Sequence, residues 1–186
     1  MNYKVIVLLL VTCCIGGCNG SDKTINKQEL TQKQIELINE GWTLVIPSES
    51  DLEDAMGIKP LYGTKDNYFD ISVGGGCDVV VKLVDKKMNT CIRCVYVKEN
   101  STTTIHDIPQ GLYYLKLAYG KDWMNFEDGK IFKGMFTKSV SYEKCQNVFN
   151  YKMKNNEDVN YSVRLNVANG SDNLHTLPIS ENEFLN

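Results

Sequence analysis

Seven cysteines and two histidines carry most of the potential chemistry in this chain. Cys91-Ile92-Arg93-Cys94 has the CxxC spacing that zinc sites and disulfide exchangers use. The pair falls inside a run that reads as a strand. Residues three apart on a strand face opposite ways, so one metal ion is hard for both thiols to reach. A redox pair would also need a helix N-terminus to lower a thiol pKa. Cys77 and Cys145 add two further thiols, and spacing alone leaves any disulfide pairing open. Buried free thiols are expected for at least two of the four.

His106 and His175 lie far apart, and the adjacency of His106 to Asp107 does not make an oriented base. The chain has no nucleophile elbow, zinc-protease helix or phosphate loop. Asp122, Glu127 and Asp128 do not have the spacing of an EF-hand loop, which favours a solvated acidic stretch over a calcium site. No catalytic residue, metal or cofactor is therefore expected. The aromatic residues Trp123, Phe126 and Phe132 are the candidate ligand contacts, in or beside one predicted loop, where β-sandwiches carry function. Exposed, they would stack on a sugar ring or anchor a protein. Folded back, they would form a lid on the core, the expected role of Trp123, with Phe126 the better surface contact.

Around these residues the chain has 186 positions, 42% of them hydrophobic, enough for one core. A net charge of −3 lacks the basic footprint of a nucleic-acid binder. At the N-terminus, Lys4 precedes the apolar run Val5–Val11, too short to span a bilayer comfortably, and then Ile15-Gly16-Gly17-Cys18. The last four residues resemble the lipobox of bacterial lipoproteins. That resemblance implies a signal peptide over residues 1–17, acylation of Cys18 and a polar tether over 18–28. The expected location is a lipid anchor in the bacterial envelope, with the outer membrane as its destination.

Residues 29–67 are expected to pack on the domain. Thr31–Asn39 predicts a helix, with Thr31 and Gln34 as a capping box, Gly41 beyond its end, and Leu30, Ile35 and Ile38 docking inward. Trp42–Ile46 predicts a strand, and Ser48–Lys65 a loop with one helical turn at Leu52–Met56. The β domain spans 68–186. Ile108-Pro109-Gln110-Gly111 predicts a turn into a central strand, Leu112–Tyr119, with Tyr113, Leu115, Leu117 and Tyr119 on one face. Tyr68–Val73, Cys77–Val84, Cys91–Val97 and Thr102–His106 read as strands before it. Pairing Val84 with Cys91 would place Leu83 opposite Ile92, Val81 opposite Cys94 and Val79 opposite Tyr96. The reverse face, with Val80, Val84, Val95 and Val97, would need cover from the segment around Trp42. Ile131–Thr137 and Gln146–Lys152 follow as strands after an Asp122–Gly134 loop. Val159–Val167 alternates as an antiparallel outer strand should, Gly170 ends it, and Ile179 and Phe184 anchor the tail. The pattern is mainly β: an antiparallel β-sandwich with a short N-terminal helix.

The Ile108–Leu115 turn and strand resembles the carboxypeptidase-regulatory-like, or prealbumin-like, β-sandwich. Gly120-Lys121-Asp122-Trp123 and Tyr142-Glu143-Lys144 are similar to elements of small secreted bacterial β domains of unassigned function. The resemblance implies an accessory or binding element and transfers no catalytic residue. The expected function is a non-catalytic binding or assembly module, touching the membrane through its acylated N-terminus and a protein or glycan in the envelope. A carbohydrate-binding accessory protein and an envelope hydrolase are the alternatives.

Overall fold

Alternating apolar residues on two sets of strands dictate two sheets with a shared core. The computed structural model describes residues 30–128, 132–152, 158–166 and 174–186. The expected signal peptide (1–17), Cys18, the expected tether (18–28) and Gly170 lie outside these described residues, as do the side chains of Ser50, Asp51 and Phe132.

In chain order the elements are α1 (Gln32–Asn39), β1 (Thr43–Leu44), α2 (Glu49–Ala55), β2 (Tyr68–Val73), β3 (Asp78–Asp85), β4 (Thr90–Val97) and β5 (Thr102–His106), then β6 (Leu112–Glu127), β7 (Phe132–Cys145), β8 (Phe149–Asn150), β9 (Tyr161–Leu165), β10 (Thr176–Pro178) and α3 (Glu181–Leu185). The larger sheet runs β10-β7-β6-β3-β4, with β1 and β8 also bonded to β6, and the smaller runs β5-β2-β9. The protein is mainly β, with two packed sheets and a short helix near its N-terminal region. Residues Thr31–Asn186 form one compact unit.

β6 is the central strand, bonded to β3 on one side and β7 on the other. The Asn67 amide clamps the turn before it, accepting from the Ile108 N–H at 2.7 Å and donating to the Ile108 carbonyl at 2.9 Å. Tyr113, Leu115, Leu117 and Tyr119 enter the core between the sheets, where they meet Phe69, Ile71, Ile105, Val163 and Leu165. Burial of each such side chain stabilises the fold by about 1.5–3 kcal/mol.

A second cluster covers the reverse face of the large sheet. Val80, Cys94 and Ala118 pack there against Leu52 of α2 and Phe184 of α3, with Trp123 and Phe136 beside them. The cover therefore comes from α2 and the C-terminal helix; Trp42 instead stacks on Phe126 at 5.6 Å. Ile179 and Phe184 anchor the tail as expected.

Several expectations are corrected. The β3–β4 hairpin contains the expected Val84↔Cys91 pair, but a bulge shifts the register beyond it, so that Leu83 faces Arg93, Val81 faces Val95 and Val79 faces Val97. Val95 and Val97 thereby join the core between the sheets. The expected Asp122–Gly134 loop is mostly strand, because β6 continues to Glu127 and pairs with β7 down to Phe132. A short β8 at Phe149–Asn150 replaces the longer Gln146–Lys152 strand. β9 is an outer strand with one wet face, but it runs parallel to β2.

Helix α1 forms with its predicted capping box, and Gly41 follows it at φ +97°. Its docking is inverted, since Ile35 and Ile38 stay exposed, like Leu30, while Gln34 is fully buried. Gln34 Nε2 donates to Asp122 Oδ2 at 2.9 Å and to Thr137 Oγ1 at 3.0 Å. A polar anchor thus holds a helix too short to be stable alone.

Candidate functional site

The apolar strands β3 and β6 each carry one lysine in mid-run, Lys82 and Lys116. The antiparallel register sets these two directly opposite, and the β6–β7 register sets Lys144 opposite Lys116. Three lysines therefore form a row across three neighbouring strands. Like charges directly opposite destabilise a sheet. Lys82 and Lys116 are also 3% and 4% exposed, and lysine is seldom buried unless it is paired.

Helix α3 supplies part of the compensation. Ser180 caps its start, accepting from the Glu183 N–H at 3.1 Å. Its C-terminal end lies over the row. Lys82 Nζ donates to the carbonyls of Phe184 and Leu185 at 2.9 and 3.1 Å, and Lys116 Nζ to that of Glu183 at 2.6 Å. Cations suit the carbonyl end of a helix, although its effective charge is only about half a unit. Lys144 pairs with the Glu183 carboxylate at 3.7 Å and sits 5.1 Å from the Tyr114 ring. Among the described residues, no carboxylate lies within ion-pair distance of Lys82 or Lys116. Burial lowers the pKa of Lys82. Burial, with Lys82 and Lys144 nearby, lowers that of Lys116 against an opposing pull from Glu183.

The row opens onto a cavity of about 400 Å³ lined by Lys59, Lys82, Lys116, Asn89, Thr90 and Cys91, among others. A second cavity of about 590 Å³, bordered by Lys86, Lys144, Tyr114 and Glu183, shares Asn89 with the first. Asn89 holds a positive φ of 53° and accepts a hydrogen bond from Tyr114 Oη at 2.6 Å. Among the described residues, five lysines thus border the two spaces against one side-chain carboxylate, on a chain of net charge −3. Such a surface can hold negative charge. The signal in the sequence was the lone lysine inside VVVKLV and inside LYYLKLAY; their alignment depended on a register that the sequence left open.

The aromatic candidates differ in their surroundings, and Trp123 is buried as its expected role of a lid requires. Trp123 lies inside β6, 2% exposed, with its ring 5.0 Å from Phe136 in an edge-on arrangement. Phe126 is half-buried against Trp42 rather than free, and the side chain of Phe132 is outside the described residues. Asp122 is engaged by Lys138 at 2.7 Å and by Gln34. No group of three potential ligands suits a metal ion among the described residues.

The CxxC geometry is also corrected. The bulge pairs Cys91 with Val84 and Cys94 with Lys82, two β3 positions on one side of the sheet, so both cysteines share a face. Their chemistry is nonetheless quiet. Cys77, Cys91, Cys94 and Cys145 are all free thiols. Burial raises the pKa of each, that of Cys91 to about 11, which keeps them protonated and weakly nucleophilic. The expected result with a disulfide-exchange thiol reagent at pH 8 is that these four label slowly in the native protein and fully in guanidinium. Rapid native labelling of Cys91 would contradict this account of its surroundings.

In comparisons with known proteins, the sequence matches no family model, and neither a curated protein nor a solved structure matches it.

Proposed function

We propose that this chain is a lipid-anchored protein of the bacterial cell envelope that works as a non-catalytic binding or assembly module. The observation that carries the binding half is the pair of adjoining cavities over the lysine row, which offers fixed polar contacts beside thiols held protonated. The anchoring half rests on Ile15-Gly16-Gly17-Cys18, with Cys18 as the acylated residue. Among the described residues no helix is long and apolar enough to cross a membrane, which is compatible with attachment through a lipid. The outer membrane is the proposed destination, and the prealbumin-like resemblance of the Ile108–Leu115 turn fits an accessory role.

Cells grown with a clickable fatty acid should label the wild-type protein. Cys18→Ala should take up no label and accumulate as an unprocessed precursor. An unlabelled wild type would end the anchoring proposal. Screening the protein against envelope extracts and glycans, with a hydrolase assay alongside, tests the binding half. Turnover of envelope material without a stable complex would replace the module by an enzyme.

A further inference from the structure

We propose that the two adjoining cavities over the lysine row bind an oxyanion group, with Lys82 and Lys116 lining the first and Lys144 the second. This names a ligand class for the same site and rests on the binding-module reading.

Three separate observations converge on it. First, the register sets Lys82, Lys116 and Lys144 side by side, an arrangement the sheet would disfavour without a counter-charge. Second, their compensation is incomplete. Two buried ammonium groups share the carbonyls of a single five-residue helix and, for Lys82, the Phe184 ring at 4.8 Å, while the one bordering side-chain carboxylate among the described residues, Glu183, is engaged by Lys144. An ammonium group has three N–H donors, and the hydrogen bonds to α3 take two on Lys82 and one on Lys116. Donors therefore remain for a ligand. Third, there is room. The two adjoining spaces, about 400 and 590 Å³, fall within the range of small-molecule sites. Exposed Lys59 and Lys86 extend the positive border outward, one on each cavity.

Capping of α3 alone explains why lysines point at carbonyls. It does not explain Lys144 continuing the row, nor the cluster of Lys59 and Lys86 around the same openings. A bound oxyanion would meet the row as a phosphate or carboxylate meets any lysine cluster, through charge-assisted hydrogen bonds. It arrives either free in solution or carried on an envelope polysaccharide.

Calorimetric titration of the full chain in non-ionic detergent tests this, at ionic strength held constant with sodium chloride. The probes are inorganic phosphate, inorganic sulfate, an oligogalacturonate and its neutral methyl ester. Saturable binding of phosphate or sulfate would show that a free anion suffices. Binding of the oligogalacturonate alone, with none of its ester, would show that the group must be carried; either result supports the proposal. Lys116→Met and Lys144→Met should each weaken binding roughly tenfold, as loss of a charge-assisted contact predicts. Lys98→Met, an exposed change outside both cavities, should leave it unaltered. Lys144 is 42% exposed at its side chain, so its variant folds even if Lys116→Met does not. No saturable binding of any oxyanion, or equal weakening by Lys98→Met, overturns the assignment. If the chain then binds a neutral glycan or an envelope protein, the binding-module reading survives its loss.

Discussion

Trp123→Ala should lower the unfolding free energy by about 3–5 kcal/mol, the range for truncating a large buried aromatic. The ring is 2% exposed and sits between Phe136 at 5.0 Å and Tyr96 at 6.5 Å. Its indole N–H donates to Asn125 Oδ1 at 2.6 Å, so the polar edge is satisfied as well. Gly134 on the partner strand leaves the space, since a Cβ there would overlap the indole. That contact gives an internal control. Gly134→Ala alone should cost about 1–3 kcal/mol by overpacking, and less when Trp123 is already alanine. Urea melts of the two single variants and the double variant measure both effects. A Trp123→Ala protein that melts like wild type would show that the ring does not hold the reverse face of the sheet.

Phe69→Ala should cost a similar 3–5 kcal/mol, through the other core. Phe69 is fully buried in the middle of the small sheet, with Phe149 at 4.7 Å, Tyr161 at 6.0 Å and Tyr151 at 6.4 Å. These rings come from β2, β8, β9 and the residue after β8, so the truncation opens the joint between the two sheets. Near-ultraviolet circular dichroism should lose intensity along with the melting temperature, because the tyrosines lose their fixed packing. A variant with wild-type stability would mean that the small sheet is not held by this cluster.

Much of the fold followed from periodicity. The run Tyr113, Leu115, Leu117 and Tyr119 has one apolar face that only a core can satisfy, and it is the centre of the large sheet. The Thr31–Gln34 capping box and the strand at Thr102–His106 are equally local, set by neighbouring residues and found where the sequence puts them. Local chemistry carries that information because caps and alternation act within a few residues.

What the sequence could not determine depends on pairing between distant strands. Asp122 takes a left-handed conformation, φ +56°, next to a register break between Tyr119 and Lys121. There the alternation slips, so Tyr119 packs between the sheets while Trp123 joins Ala118 on the reverse face. A period-two reading cannot anticipate that slip, and a polar Gly-Lys-Asp run resembles a loop. The bulge in β4 acts the same way, bringing Cys91 and Cys94 to one side when strict alternation would separate them. The burial of Gln34 reverses the expected docking of α1, because the free energy there comes from hydrogen bonds to Asp122 and Thr137 on elements far away in the chain.

The candidate site belongs wholly to this second kind. Lys82, Lys116 and Lys144 are each unremarked in sequence, one basic residue in a strand. Composition and alternation fixed that the chain is a β protein with a buried apolar face, since those follow from the water-avoidance of residues close in sequence. Only tertiary structure decided that three lysines lie in one row beneath a C-terminal helix, because register couples residues across the whole chain and one shifted pair would send them to opposite faces.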